Sequence, residues 1–289
     1  MQKIIKLLGV VLLSAGVGTA FADQTITTGA SPAPHANTLK PVTITIGASP
    51  VPHAEILKQV VPILKKQGIT LKISEFSDYV QPNLLVQQTQ LDANFFQHRP
   101  YLTQFNKEHG TNLVELTGVE IEPMGIYASS DAQLQDFVAS KNISKLPRNL
   151  TVGVPNDTTN EGRALLLLQN NDFIKIKHGV KYPTKQDIIA NPYNIDFKEL
   201  DAAMLPRALL AKQLDVAVIN SNYAIEAKMN PLKDAVFIEN AHSPYVNVIA
   251  VRPDELQLPQ MKALAKAIHT AAITQFILTQ YKGAVVPVK

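Results

Sequence analysis

Leu150 to Gln169 reads LTVGVPNDTTNEGRALLLLQ. Leu150 to Val154 is a short run of the length and composition of a buried strand. A polar loop follows, and from about Thr159 to Gln169 the apolar residues return at helical density. A strand feeding a helix through a short loop is the repeating unit of α/β proteins. The start of such a helix has free N–H groups and the positive end of the dipole, so it favours an anion. Arg163, one turn in, can meet a carboxylate with two parallel hydrogen bonds. Asn156, Asp157 and Thr158 suit plain capping equally well.

The same rhythm extends in both directions. Val42 to Ile46 alternates β-branched residues as a strand does, and from His53 the residues Ile56, Leu57, Val60, Val61 and Leu64 keep helical spacing. Strands are expected at Leu71–Phe76, Asp92–Phe95, Leu113–Ile121, Gly125–Ala128, Val216–Ile219, Ala235–Ile238 and Val246–Val251. Helices are expected over 98–109, ending at Gly110, and as one long element from Met261 to Tyr281. Strand–helix units recommence at Leu150 after the polar stretch Ser129 to Arg148, which favours two lobes. In open α/β sheets ligands sit beyond the carboxyl ends of strands, so the residues there are the candidates.

One such end carries Phe95-Phe96-Gln97-His98-Arg99-Pro100-Tyr101. Its rings and imidazole suit an apolar pocket with a polar rim, or a core with His98 capping a helix. Another carries Asn220, whose amide can accept from an ammonium and donate to a carboxylate. Asn247 lies beside a further strand. Either asparagine also fits a simple turn. Catalysis is poorly supported: GxSxG, HExxH, Walker A and GxGxxG are all absent, and Asp92 is a lone acid in an apolar run. The seven histidines show no pair at ligand spacing, so no metal site is expected.

The chain has 289 residues, 46% hydrophobic and 18% charged, with a net charge of +3. That composition excludes overall disorder. Residues 1–22 have the three parts of a secretory signal: Lys3 and Lys6, an apolar stretch from Leu7 to Val17, and Ala20-Phe21-Ala22. Removing Lys3 and Lys6 leaves 25 basic against 24 acidic residues, too balanced for a typical nucleic-acid binder. There is no cysteine, which excludes disulfides, thiolate chemistry and an acylated N-terminal cysteine. Thr25–Lys40 and Thr43–Lys58 match at twelve of sixteen positions at an offset of eighteen. The second copy opens the fold. The first meets Pro41, which stops a helix, and is expected to be a flexible extension over 23–40.

Five segments together resemble the MetQ/NlpA family of methionine-binding proteins that serve ABC importers. They are Phe76–Asn83, Asp92–Leu102, Val154–Arg163, Ala217–Asn220 and Ser243–Asn247, in the family's order across 42–289. The resemblance implies an α/β, two-lobed type II periplasmic-binding-protein fold with a ligand cleft between the lobes. Lobe 1 would be 41–124 with 243–289 and lobe 2 would be 125–242, with crossovers near Pro123–Gly125 and Ala241–Pro244. Tyr79, Phe96, His98 and Tyr101 match the apolar wall around a thioether, and Arg163 matches the group that takes the amino acid's carboxylate. Asn160, Asn220 and Asn247 match the amides around ammonium and carboxylate. Phe95 stands where the family has a small residue, which would reshape the pocket.

The implied function is capture of a free amino acid, methionine first, and its delivery to a membrane permease and its ATPase, with no cofactor, no catalytic residue and a monomeric chain. Family members are commonly held by an acylated cysteine, which this chain lacks. A soluble periplasmic protein without a lipid anchor is therefore expected. Two other readings share this sequence: an exported two-lobed enzyme using Asp92 or His98 as base on an amino-acid derivative, and a surface interaction protein with an idle cleft.

Overall fold

Residues 42–240 and 243–288 are described by a computed structural model. In chain order the strands are Val42–Ala48 (β1), Ile69–Glu75 (β2), Ala93–His98 (β3), Val114–Ile121 (β4), Gly125–Ala128 (β5), Thr151–Pro155 (β6), Lys175–Ile176 (β7), Ile188–Ala190 (β8), Asp196–Leu200 (β9), Val216–Ile219 (β10), Phe237–Ile238 (β11), Val246–Val251 (β12) and Val286–Pro287 (β13). The α-helices are Glu55–Lys65 (α1), Gln81–Gln87 (α2), Arg99–His109 (α3), Gln135–Ser140 (α4), Thr158–Asn170 (α5), Leu205–Leu210 (α6), Ser221–Glu226 (α7), Pro231–Asp234 (α8), Pro259–Ile268 (α9) and Ala271–Tyr281 (α10). The signal segment 1–22, the duplicated extension 23–40 and residue 41 lie outside the described residues, as do Ala241 and His242 of the second expected crossover.

The strands form two larger sheets. One has the order β13-β4-β12-β3-β1-β2, and the other β11-β5-β10-β6-β9. In the first, β1 is parallel to β2 and β3, while β12 runs antiparallel between β3 and β4. In the second, β6 is parallel to both β10 and β9, and β5 is antiparallel to β10. The chain leaves the first sheet at Ile121 and enters the second at Gly125, so Glu122-Pro123-Met124 is a crossover. It returns between Ile238 and Val246.

Each sheet has its own core. Ile44 and Ile46 of β1 pack with Ile56, Leu57, Val60 and Leu64 of α1, the apolar stripe the sequence spacing announces, and with α9 and α10. In the second sheet Val152, Val154, Val216 and Val218 pack with Leu165 and Leu168 of α5 and with Phe137. Among the described residues, no helix is long and apolar enough to cross a membrane.

The single helix expected from Met261 to Tyr281 is two. Thr270 is extended, with φ −68° and ψ 150°, and separates α9 from α10. The buried residues explain the break. Met261, Leu264 and Ile268 share a face, as do Ile273, Ile277 and Tyr281. At about 100° per residue, however, a step of five from Ile268 to Ile273 turns the stripe by about 140°. Breaking the helix lets both stripes reach the same core. Helices α2, α4, α6, α7 and α8 and strands β7, β8, β9 and β13 are not expected from the sequence, because they are short and carry little periodic signal.

Phe137 is fully buried, with its ring 5.9 Å from that of Phe173 and 6.1 Å from that of Phe237. Replacing it by alanine leaves a large cavity in the second core. Phe137→Ala is expected to lower stability by about 3–5 kcal/mol, read as a lowered midpoint in urea unfolding.

Candidate functional site

A small, largely enclosed pocket lies where the carboxyl ends of β3, β6 and β10 meet the first crossover. Its lining contains all eight residues the sequence singles out: Tyr79, Phe96, His98, Tyr101, Asn160, Arg163, Asn220 and Asn247. Gln97, Glu122 and Asn222 complete it. Phe95 does not line it. Neighbouring residues on a strand point to opposite faces, so Phe95 is buried in the first core while Phe96 faces the pocket. The expected reshaping of the pocket by Phe95 is thus corrected.

The apolar wall is a ring cluster. The Tyr79 centroid lies 5.7 Å from that of Phe96 and 5.9 Å from that of Tyr101, and the Phe96 and Tyr101 centroids are 6.0 Å apart. The Tyr101 hydroxyl donates to the Tyr79 carbonyl at 2.9 Å, and the Tyr79 hydroxyl donates to Asn222 Oδ1 at 2.6 Å. Burial pushes the Tyr79 phenol up, with Tyr223 adding to the effect, so it remains a neutral donor.

His98 fills two roles that the sequence left as alternatives. It caps α3, because its Nδ1 accepts from the Tyr101 backbone N–H at 3.0 Å. A backbone amide only donates, so the ring proton of neutral His98 is on Nε2, which donates to Asn160 Oδ1 at 3.1 Å. Burial, and then the nearby Arg163 charge, lowers the His98 pKa to about 3.

Asn160 is held on all sides. Its backbone N–H and its amide donate to the Asp157 cap, the amide at 3.0 and 2.9 Å. Its Oδ1 also accepts from Asn220 Nδ2 at 2.9 Å. Asn220 Oδ1 and Asn222 Nδ2, by contrast, are buried without a hydrogen-bond partner. One acceptor and one donor therefore stand unsatisfied in the pocket lining, a costly state that a zwitterion would relieve.

Arg163 is buried at 3% exposure. Its Nε and Nη2 donate to Glu239 at 2.9 and 2.5 Å, and Nη2 also donates to the Glu122 carbonyl at 2.8 Å. Its guanidinium carbon stands 4.1 Å above the Tyr245 ring. Burial works against the charge, but Glu239 outweighs it and the pKa is raised. Glu239 is the partner the sequence did not reveal, because it lies 76 residues away on the second connection between the sheets. None of these bonds uses Nη1. Asn247 Nδ2 donates to Glu122 Oε1 at 2.8 Å.

Asp92, the acid considered as a general base, is outside the pocket lining. It accepts from the Thr45 backbone N–H and hydroxyl, both at 2.7 Å, and fastens β1 to the start of β3.

With this geometry in view, comparison with known proteins is direct. The NlpA lipoprotein family model matches residues 44–289. The chain belongs to that family. It is 39% identical over 275 residues to a methionine-binding lipoprotein MetQ of Bacillus subtilis, covering 94% of this chain and 90% of the relative. It is 37% identical over 222 residues to the D-methionine-binding lipoprotein MetQ of Escherichia coli, covering 76% and 79%. A nutrient binding protein from Burkholderia cenocepacia, solved bound to methionine, superposes with a TM-score of 0.79 at 41% identity, covering 85% of this chain and all of that one. The α/β, two-lobed binding-protein fold is the fold of this family's solved members.

These comparisons correct one expectation. The chain was read as free of a lipid anchor because it has no cysteine. The matching family and its curated relatives are named lipoproteins, a lipid-anchored class.

The His98 ring gives a pH test. Its folded pKa lies below the unfolded value of about 6.5, so the unfolded chain takes up the proton first. The stability that rests on the neutral His98 ring is fully present above pH 6.5. It is expected to fall relative to His98→Gln by about 1.4 kcal/mol per unit as pH drops toward 3, measured by urea unfolding of both proteins at stepped pH.

Proposed function

We propose that this protein is the substrate-binding component of an ABC importer and captures a free amino acid, methionine foremost, for delivery to a membrane permease and its ATPase. The observation that carries the reading is the pairing of an unsatisfied acceptor, Asn220 Oδ1, with an unsatisfied donor, Asn222 Nδ2, opposite a wall of aromatic rings. The methionine-binding relatives support the ligand class.

In this reading Asn220 Oδ1 accepts from the ammonium. Arg163 gives its Nη1 to the carboxylate while Glu239 holds the rest of the fork, and the start of α5 adds its dipole. Asn160 orients Asn220 and His98, and Asn247 orients Glu122 at the pocket edge. The thioether packs among Phe96, Tyr79 and Tyr101, where each sulfur–ring contact adds about 0.3–1.5 kcal/mol. Methionine has nine heavy atoms, so the ceiling of about 1.5 kcal/mol per atom allows roughly 13 kcal/mol, enough for nanomolar binding.

The lobes are taken as 41–124 with 243–289 and 125–242. Tyr79 to Asn222, within the pocket lining, and Tyr223 to the Ser77 carbonyl, outside it, are bonds that join the two sides. Closing on the ligand would signal to the permease that cargo is present. The act is capture, not conversion: the acid and the imidazole considered as bases are committed to Thr45 and to Tyr101 and Asn160.

Isothermal calorimetry with L- and D-methionine tests the reading. Wild type is expected to bind at least one of them at a single site. Asn220→Ala is expected to weaken binding by about 1–3 kcal/mol, and Arg163→Ala by more. No heat with either isomer, or unchanged affinity in Asn220→Ala, would overturn the assignment.

A further inference from the structure

Two residues apart on an extended chain share a face, so Glu120 at the end of β4 and Glu122 in the crossover point the same way. His53, in the turn that precedes α1, is brought against both. The three are 1%, 0% and 6% exposed for His53, Glu120 and Glu122. His53 Nε2 lies 3.4 Å from Glu120 Oε1 and 3.2 Å from Glu122 Oε1. Neither approach is aligned as a hydrogen bond, and both ring nitrogens of His53 and both carboxylate oxygens of Glu120 are buried without a partner. Glu122 Oε1 receives only Asn247 Nδ2 among side chains of the described residues.

Buried carboxylates without donors are costly. The one cation bonded next to the cluster among the described residues, Arg163 on the Glu122 carbonyl, is already paired with Glu239. One ligating atom from each residue can be chosen so that all lie within 4.8 Å of one another.

The spacing suggests what supplies the cluster with positive charge. Around a tetrahedral ion with bonds of about 2.0–2.1 Å, neighbouring ligand atoms are about 3.3–3.4 Å apart. The two nitrogen–oxygen separations, 3.4 and 3.2 Å, fall close to that edge. A doubly charged ion with a neutral imidazole and two carboxylates makes the whole group neutral. One imidazole and two carboxylates suit zinc-class ions, whereas calcium or magnesium would need more oxygens or waters.

We propose that His53, Glu120 and Glu122 form a binding site for one divalent cation of the zinc class, held through His53 Nε2 and an oxygen of each carboxylate. Three protein ligands leave the ion a fourth position. Because Glu122 also lines the amino-acid pocket, an ion there would draw its negative charge away from that pocket. The site does not depend on the identity of the amino acid.

The full chain, stripped with EDTA and dialysed, is titrated with Zn²⁺ in the absence of any amino acid. Uptake of about one equivalent by elemental mass spectrometry and a raised melting temperature reversed by EDTA are expected. Cobalt(II) is expected to give the visible absorption of a four-coordinate ion. Glu120→Gln and His53→Asn are each expected to weaken metal uptake at least tenfold, while Asn220→Ala keeps it. Should one variant fail to fold, the other reports. Failure of wild type to take up zinc, or uptake unchanged in a folded variant, overturns the site and leaves shared protons as what neutralises the cluster. Methionine calorimetry on the stripped protein separates that result from failure of the amino-acid reading.

Discussion

A guanidinium almost wholly removed from water needs partners for its donors, and Arg163 finds them for Nε and Nη2 across the two connections between the sheets. Its bonds to the Glu122 carbonyl and the Glu239 carboxylate join α5 to both connecting segments. Removing one member of such a pair strands a buried charge, at about 3–5 kcal/mol. The position of the pocket follows from this junction. Helix α5 brings Asp157 and Asn160, Asn160 fixes His98 and Asn220, and His98 in turn caps the helix that carries Tyr101.

The polar groups of the pocket fall into two kinds. His98 and Asn160 have their hydrogen-bonding capacity taken up inside the protein, which locks the imidazole tautomer and the amide orientation. Asn220 and Asn222 are each held by one side of the amide and unsatisfied on the other. Rigid, saturated residues thus present a few unsaturated atoms at fixed positions, which lowers the entropy lost on binding. The aromatic wall works by area and polarizability and needs no such precision.

The strand-ends were legible because their chemistry is local. Val152 to Arg163 announces a strand, a cap and a cation within one stretch of chain, and Phe96 to Tyr101 places two rings and an imidazole together. What was not legible is pairing at a distance. Nothing near Arg163 in the sequence indicates Glu239, and nothing near His53 indicates Glu120. Asn222 lies two residues from Asn220 yet was passed over, since its role appears only once Tyr79 reaches it from 143 residues away. The broken C-terminal helix shows the reverse case. The five-residue step from Ile268 to Ile273 was in plain sight, but amphipathic density alone hid the change of face.

Glu122 joins these threads. Its carbonyl accepts from Arg163, its carboxylate accepts from Asn247, and the same carboxylate faces His53. It sits on the shorter connection, just past β4, where a turn of the backbone would disturb all three contacts together. A residue so placed links the arginine junction, the pocket and the buried cluster. The charge state of that carboxylate cannot change without altering the field felt by a ligand, since in a dry interior charges act over greater distances than in water. The geometry therefore makes the cluster and the pocket electrostatically one system, even though only Glu122 belongs to both.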